Sequence, residues 1–163
     1  MTNTFYGTYT VTVDSTGRFV VPTEFLNLLG NSCVITKGTG CLWLMTSSMK
    51  EQIREQLEKK AKGQLASMFN SEISVLQRHI FSGMSVCTPE AERNHRIALT
   101  REQRRYAQID KSLVLCGVGN YIEIWNPENL DMLNKKFDDD VALFNIGELL
   151  FGNSAKNEND DIS

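Results

Sequence analysis

The chain has 163 residues, 41% of them hydrophobic and 23% charged, with a formal net charge of -3. That is enough apolar material for one ordinary domain or two small ones with a real core. No segment approaches the roughly 18 to 20 apolar residues of a membrane span, and no basic start runs into a long apolar stretch, so the expectation is a soluble protein that stays in the cytoplasm.

The first elements are strand-like. Residues 5 to 13 (FYGTYTVTV) alternate with the period-two pattern of a half-buried strand. Asp14-Ser15-Thr16-Gly17 then makes a turn, and Arg18 to Val21 forms a second short strand closed by Pro22, which together read as a hairpin. Thr23 to Leu29 predicts a short helix capped by Thr23 and ended by Gly30. Cys33 to Thr36 and Cys41 to Met45 predict a strand pair about Lys37-Gly38-Thr39-Gly40.

A charged helix is expected from about Met49 to Lys62, capped by Ser47 or Ser48, with a narrow stripe of Ile53, Leu57 and Ala61. A second helix is expected from about Leu65 to Ile80. Its Leu65, Met68, Phe69, Ile73, Leu76 and Ile80 form a stripe suited to packing on a sheet or a neighbouring subunit, and the Met and Phe positions read as core.

The pattern then begins again. Phe81-Ser82-Gly83 matches Phe5-Tyr6-Gly7, Arg96 to Thr100 matches Arg18 to Pro22, Leu113 to Gly119 matches Cys33 to Gly40, and Ile122 to Trp125 matches Leu42 to Met45. Such a duplication places two small sheets about one pseudo-twofold axis. After Asn126-Pro127-Glu128 a helix to about Phe137 and another around residues 141 to 150 are expected, and residues 153 to 163 read as a disordered tail. The expected organisation is a first repeat with its trailing helix at 5–62, a connecting helix at 63–80, a second repeat at 81–137, and a C-terminal helix with an acidic tail at 138–163.

Charge follows this layout. Residues 1 to 110 hold 13 Lys/Arg against 10 Asp/Glu, whereas residues 111 to 163 hold 4 against 10. The acidic end masks a mildly basic body, which leaves room for a basic surface patch. Arg101, Arg104 and Arg105 are its densest basic cluster. Arg18 follows the first turn and Arg96 takes the equivalent place in the second. An arginine carries five donors and a fixed charge, suited to phosphates or a guanine edge when it projects from a rigid turn. The plain alternative is an edge residue paired with Asp14.

Catalysis finds little support, because the sequence has no nucleophile elbow, P-loop or dinucleotide fingerprint. Gly38-x-Gly40 and Gly117-x-Gly119 read as strand turns. Cys33, Cys41, Cys87 and Cys116 lie far apart in the sequence, with neither a C-x-x-C pair nor His79 or His95 at ligand spacing. They read as reduced thiols, with no metal, cofactor or small-molecule ligand expected.

Phe5-x-Gly7, Asp14-x-x-Gly17-Arg18 with its strand and Pro22, Cys41-Leu42-Trp43-Leu44 and Glu123-Ile124-Trp125 together resemble the MraZ family of bacterial proteins, over residues 5 to 150. The resemblance implies an α+β fold: a tandem duplicated, swapped-hairpin AbrB-like β-barrel core with connecting and C-terminal helices, assembled as a ring homo-oligomer. It also implies a nucleoid-associated transcription factor acting on the division and cell-wall gene cluster, through repeated promoter boxes containing TGGG in double-stranded DNA. The implied DNA-binding residues are Asp14, Gly17 and Arg18 in the first turn and Arg96 in the second, and the neighbouring Arg101, Arg104 and Arg105 are expected to hold the DNA backbone. The second motif departs from the pattern, with Glu92 for Asp and His95 for Gly. Leu26 stands where many relatives carry an arginine, while the second copy keeps Arg104 but has Thr100 for the proline. The alternative reading is an AbrB-like protein-interaction module that has lost specific DNA binding.

Overall fold

The computed structural model describes residues 4–138 and 147–152. Strand β1 (Phe5–Thr12) leads through the Asp14 turn to β2 (Arg18–Val20) and helix α1 (Thr23–Leu29), followed by β3 (Cys33–Lys37) and β4 (Leu42–Thr46). Helices α2 (Ser47–Ala61), α3 (Gln64–Phe69) and α4 (Ser71–Phe81) come next. The second half has β5 (Ser85–Cys87), a 3-10 turn at Ala91–Arg93, β6 (Arg96–Ala98), α5 (Arg101–Ala107), β7 (Ser112–Gly119), β8 (Ile122–Trp125) and α6 (Pro127–Asp138). The strand, strand, helix, strand, strand, helix order thus occurs twice.

The expected first hairpin does not form as a ladder. β1 pairs with β7 and β2 with β6, all antiparallel, so each strand beside the turn finds its partner in the other half of the chain. The six-stranded sheet has the order β1-β7-β8-β4-β3-β5, and β2-β6 stands as a separate two-stranded ribbon. Exchanging the halves maps this order onto itself. Trp43 faces Glu123 and Phe19 faces Ile97, equivalent positions in both cases, so the pseudo-twofold axis passes through both crossings. No ladder among the described residues joins β1 to β5, so the sheet is not hydrogen-bonded into a closed barrel.

Alternation explains which side chains meet at the centre. Phe19 and Ile97 point inward from the ribbon and pack with Phe5, Phe25, Ile35, Leu44, Leu99, Leu113, Leu115 and Ile122 in the main core. β1 and β7 approach so closely that a Cβ on Gly117 would stand 2.4 Å from the Tyr6 backbone nitrogen. Gly117 therefore belongs to the interior of β7, where the sequence pattern suggested a turn. The turn itself begins at Gly119, whose φ is 97°.

Helix ends show local chemistry overruling simple periodicity. α1 is preceded by Pro22 with no side-chain cap, so Thr23 does not cap it. α2 starts earlier than expected because the Thr46 side chain, rather than Ser47 or Ser48, accepts from the Met49 N–H at 3.1 Å. The single helix expected over residues 65–80 is two. Asn70 adopts an extended conformation and its side chain accepts from the Ile73 N–H at 3.1 Å, starting α4 afresh. The break divides the expected stripe. Ile73 and Ile80 are buried with Leu57 and Ala61, but Leu65, Met68, Phe69 and Leu76 are exposed, so the Met and Phe positions are not core.

One compact unit ends at Pro127, and the chain beyond it forms a second. Helix α6 opens on Pro127, whose missing N–H costs nothing at the first helical position, and closes with Lys135 and Lys136 at the negative end of its dipole. A π-helical turn at Glu148–Gly152 exposes Leu149, Leu150 and Phe151. The rest of the expected helix at residues 141 to 146 and the acidic tail from 153 lie outside the described residues. Among the described residues no helix is long and apolar enough to cross a membrane.

Candidate nucleic-acid interface

The first turn is organised by one carboxylate. Asp14 Oδ1 accepts from the backbone N–H of Thr16 and of Arg18, both at 2.9 Å, and from the Thr16 hydroxyl at 2.7 Å. An Asp can close its own turn in this way because its short side chain reaches the N–H groups that follow. The Arg18 N–H foremost, then the Thr16 hydroxyl, hold the Asp14 carboxyl well below the usual carboxylate range. Arg18 completes the lock: its Nε–H lies 3.2 Å from Asp14 Oδ2 and 2.9 Å from the Thr16 hydroxyl oxygen. Half of the Arg18 side chain remains exposed, and among the described residues its terminal nitrogens make no hydrogen bond.

Gly17 is required by space as well as conformation. Its φ is 85°, and an added Cβ would lie 2.9 Å from the Leu99 carbonyl oxygen and 2.8 Å from Arg104 Nε. The Leu99 N–H donates to the Gly17 carbonyl at 2.9 Å, tying the first turn to the second half.

The second turn makes the reciprocal tie, with the Val21 N–H donating to the His95 carbonyl at 3.0 Å. His95 stands where Gly17 stands, and it too is left-handed, with φ at 57° after Asn94 at 56°. Backbone bonds hold this path: the Glu90 carbonyl accepts from Arg93 at 3.1 Å and from His95 at 2.9 Å. A bond of 3.1 Å between His95 Nδ1 and the Pro89 carbonyl steadies the imidazole. Among the described residues no carboxylate forms an ion pair with Arg96.

The β2–β6 register brings the two turns together. Phe19 and Ile97 face inward, so Arg18 and Val20 share the outer face with Arg96 and Ala98. Arg18 lies opposite Ala98 and Arg96 opposite Val20, which makes the arginines diagonal neighbours, about 7 Å apart by the usual spacing of such pairs. On one side they line a hollow with Cys87, Thr88, Glu90 and Arg93. A second hollow is lined by Ser15 with Arg101, Arg104 and Arg105.

α5 reaches the first turn through Arg104, whose Nε is buried and without a hydrogen-bond partner among the described residues. The helix is fixed by a capping box between Thr100 and Gln103. Gln103, fully buried, also donates to the carbonyls of Ile35 and Gly83 and to the Ser85 hydroxyl, at 3.0 to 3.1 Å. The acid of this helix, Glu102, is engaged by Lys37 Nζ at 2.7 Å. In the first half the position equivalent to Arg104 is Leu26, which packs against the core.

Asp14, Gly17, Arg18 and Arg96 are thus assembled on the turns and their shared ribbon, with Arg101, Arg104 and Arg105 beside the first turn. Sequence reasoning missed Thr16, which shares the hold on Arg18, and Arg93, which joins the first hollow. A hydroxyl inside an Asp-Gly turn was the available signal for Thr16. Arg93 could be found only once the turn was folded.

A duplicated α+β protein that carries arginines from both halves on one ribbon is the class these features define. No family model matches the chain, but curated relatives do. It is 33% identical over 139 residues to the transcriptional regulator MraZ of Lachnoclostridium phytofermentans, covering 85% of this chain and 92% of the relative. Against the MraZ of Desulfitobacterium hafniense the identity is 35% over 123 residues, with 75% and 80% covered. With that of Leuconostoc mesenteroides it is 31% over 145 residues, 88% of this chain and 94% of the relative. The chain belongs to the MraZ family.

Proposed function

We propose that this protein is a sequence-specific transcriptional regulator, not an enzyme, that binds repeated promoter boxes of the division and cell-wall gene cluster as a ring of identical subunits. The observation that carries the reading is the pairing of Arg18 and Arg96 on the outer face of β2–β6. The exchange of strand partners between the halves favours the AbrB-like swapped-hairpin architecture, with repeats at 5–62 and 81–137 joined by the segment 63–80. Exposed Leu65, Met68, Phe69 and Leu76 offer apolar surface for contacts between subunits. The working place of such a regulator is the nucleoid.

In this mechanism Arg18 reads and the other arginines hold. Its Nε–H is occupied by Asp14 and Thr16, leaving the terminal N–H groups for the O6 and N7 acceptors of guanine or the adjacent phosphate. Fixing the side chain before binding reduces the ordering cost on contact. Arg96, Arg101, Arg104 and Arg105 engage phosphates, which position the protein without reading sequence. A ring raises a modest affinity per turn through effective concentration when box spacing matches subunit spacing.

Gel retardation with the DNA upstream of the protein's own gene, at two salt concentrations, tests this. Arg18→Ala should abolish retardation with the assembly intact by sedimentation. Arg96→Ala should weaken binding evenly across sequences and reduce the salt slope by about 1. Unchanged binding in Arg18→Ala removes it from the reading role. Failure of the wild-type protein to retard promoter DNA favours the protein-interaction alternative, to which the altered second turn also points.

A further inference from the structure

The four cysteines are scattered in the sequence, but folding sets two of them face to face. Cys33 opens β3 and Cys87 closes β5, and the ladder pairs them directly. Their sulfurs lie 3.1 Å apart, and each is also near the other's carbonyl oxygen, at 3.4 and 3.5 Å. Directly opposed residues of an antiparallel pair have Cα atoms about 4.5 or 5.5 Å apart. Both spacings fall in the range of roughly 4.4 to 6.8 Å that a disulfide spans. Side-chain rotation alone can therefore bring the sulfurs to bonding distance.

From this placement we infer that Cys33 and Cys87 form a modification site: a dithiol that hydroperoxides convert to a cross-strand disulfide clamping the edge strand β5 to β3. Cys87 is half-buried and open to a small oxidant, whereas Cys33 is fully buried behind it. In the first step Cys87 sulfur attacks hydrogen peroxide. An S–O bond forms, the O–O bond breaks, and water leaves as the thiol proton is transferred. In the second step Cys33 sulfur attacks the Cys87 sulfenic acid. The S–S bond forms, the S–O bond breaks, and a second water leaves. Two thiols have lost two electrons and two protons, and the peroxide has been reduced to two waters.

Among the described residues neither of the other two thiols touches a second sulfur that could resolve a sulfenic acid, as Cys33 does for Cys87. Burial, together with the Glu123 carboxylate, pushes Cys41 up to about 12, and burial also raises Cys116. In the reduced pair the hydrogen bond between Cys33 and Cys87 holds the Cys33 thiol below the ordinary range and, with burial, raises Cys87, so access to solvent rather than acidity places Cys87 first.

The bond would act on β5, an edge strand of three residues that, among the described residues, is paired on one side only. Its continuation through Thr88 and Glu90 lines the hollow shared with Arg18 and Arg96. A bond between positions 54 apart would restrict the unfolded chain and raise the melting temperature, by about 5 °C or more for a chain of this size.

The full-length protein should be treated with hydrogen peroxide, digested without reduction and mapped by mass spectrometry. The expected result is one peptide pair joined at Cys33 and Cys87, two thiols still titratable, the higher Tm, and reversal of all three changes by dithiothreitol. Cys87→Ser should yield no internal bond and a Tm that peroxide does not raise. The inference is overturned if all four thiols stay free, if other cysteines are joined, if Cys87 only over-oxidises, or if the bond forms without raising Tm. The wild-type map requires no folded variant. None of these readouts involves DNA, so failure of the regulator reading would leave this result standing, and the converse also holds.

Discussion

The turn at Asp14–Arg18 adds a side-chain lock to its backbone bonds, whereas its counterpart at Glu92–Arg96 is held mainly by backbone. In the first, one carboxylate collects three hydrogen bonds and engages the Arg18 side chain. In the second, a 3-10 turn and two bonds to the Glu90 carbonyl bring a histidine into the same left-handed conformation. Both deliver a carbonyl to the opposite half, Gly17 to Leu99 and His95 to Val21. What the halves share is therefore a backbone requirement, which two chemistries satisfy. The chemistries differ in the arginine they leave behind: Arg18 is fixed before any ligand arrives, and Arg96 can adjust to one. A fixed donor suits discrimination between bases, and an adjustable one suits a phosphate.

The helices that follow offer the strongest way to break this comparison. Phe25 in α1 and Gln103 in α5 occupy equivalent buried places, one filling volume and the other satisfying carbonyls. Phe25→Ala should lower stability by about 4 kcal/mol through cavity formation. Gln103→Ala should lower it by about 3 kcal/mol, because buried acceptors lose their donor. Urea unfolding measures both, and a negligible loss in Gln103→Ala would show that the second half does not depend on this polar anchor.

Next in size are the left-handed positions themselves. Gly17→Ala should cost about 2 kcal/mol, since the new Cβ meets both an unfavourable φ and the Leu99 carbonyl. His95→Ala should cost only about 1 kcal/mol, because a Cβ is already accommodated and the main loss is the bond to Pro89. Equal losses in urea would mean that the two turns do not differ in the way described.

The smallest expected effect concerns acid. The Asp14 carboxyl is held below its ordinary range in the folded protein, so the unfolded chain takes up the proton first. Its stabilising contribution is full above the unfolded pKa of about 3.9. It diminishes as the pH falls below that value and is lost through the lower folded value. Asp14→Asn should therefore raise the pH of acid unfolding, while the difference from wild type stays constant between about pH 6 and 8. Carboxyl NMR of the wild type should show Asp14 titrating below the other aspartates, and an ordinary midpoint would dissolve the proposed lock on Arg18.

Much of this was legible in the sequence because it is written at short range. The Asp14-to-Arg18 turn, the helix over Thr23–Leu29 and the doubled element order follow from turn residues and periodicity, which need no partner. The errors share a different origin. Periodicity over residues 65–80 suggested one helix and one buried stripe, but Asn70 preferred to cap a new helix and left Met68 and Phe69 exposed. The expected β1–β2 hairpin was equally plausible locally, and its strands instead found partners 76 to 114 residues away.

The amino-acid sequence by itself determined the two turns, the repeat that contains them and the excess of arginine near the second, because each depends on residues within a few positions of one another. Only the tertiary structure decided that Arg18 and Arg96 share one face, that Arg104 belongs beside the first turn, and that Cys33 meets Cys87. Those placements depend on strand register across the chain, where burying one face of each strand selects the pairing and no local preference can anticipate it.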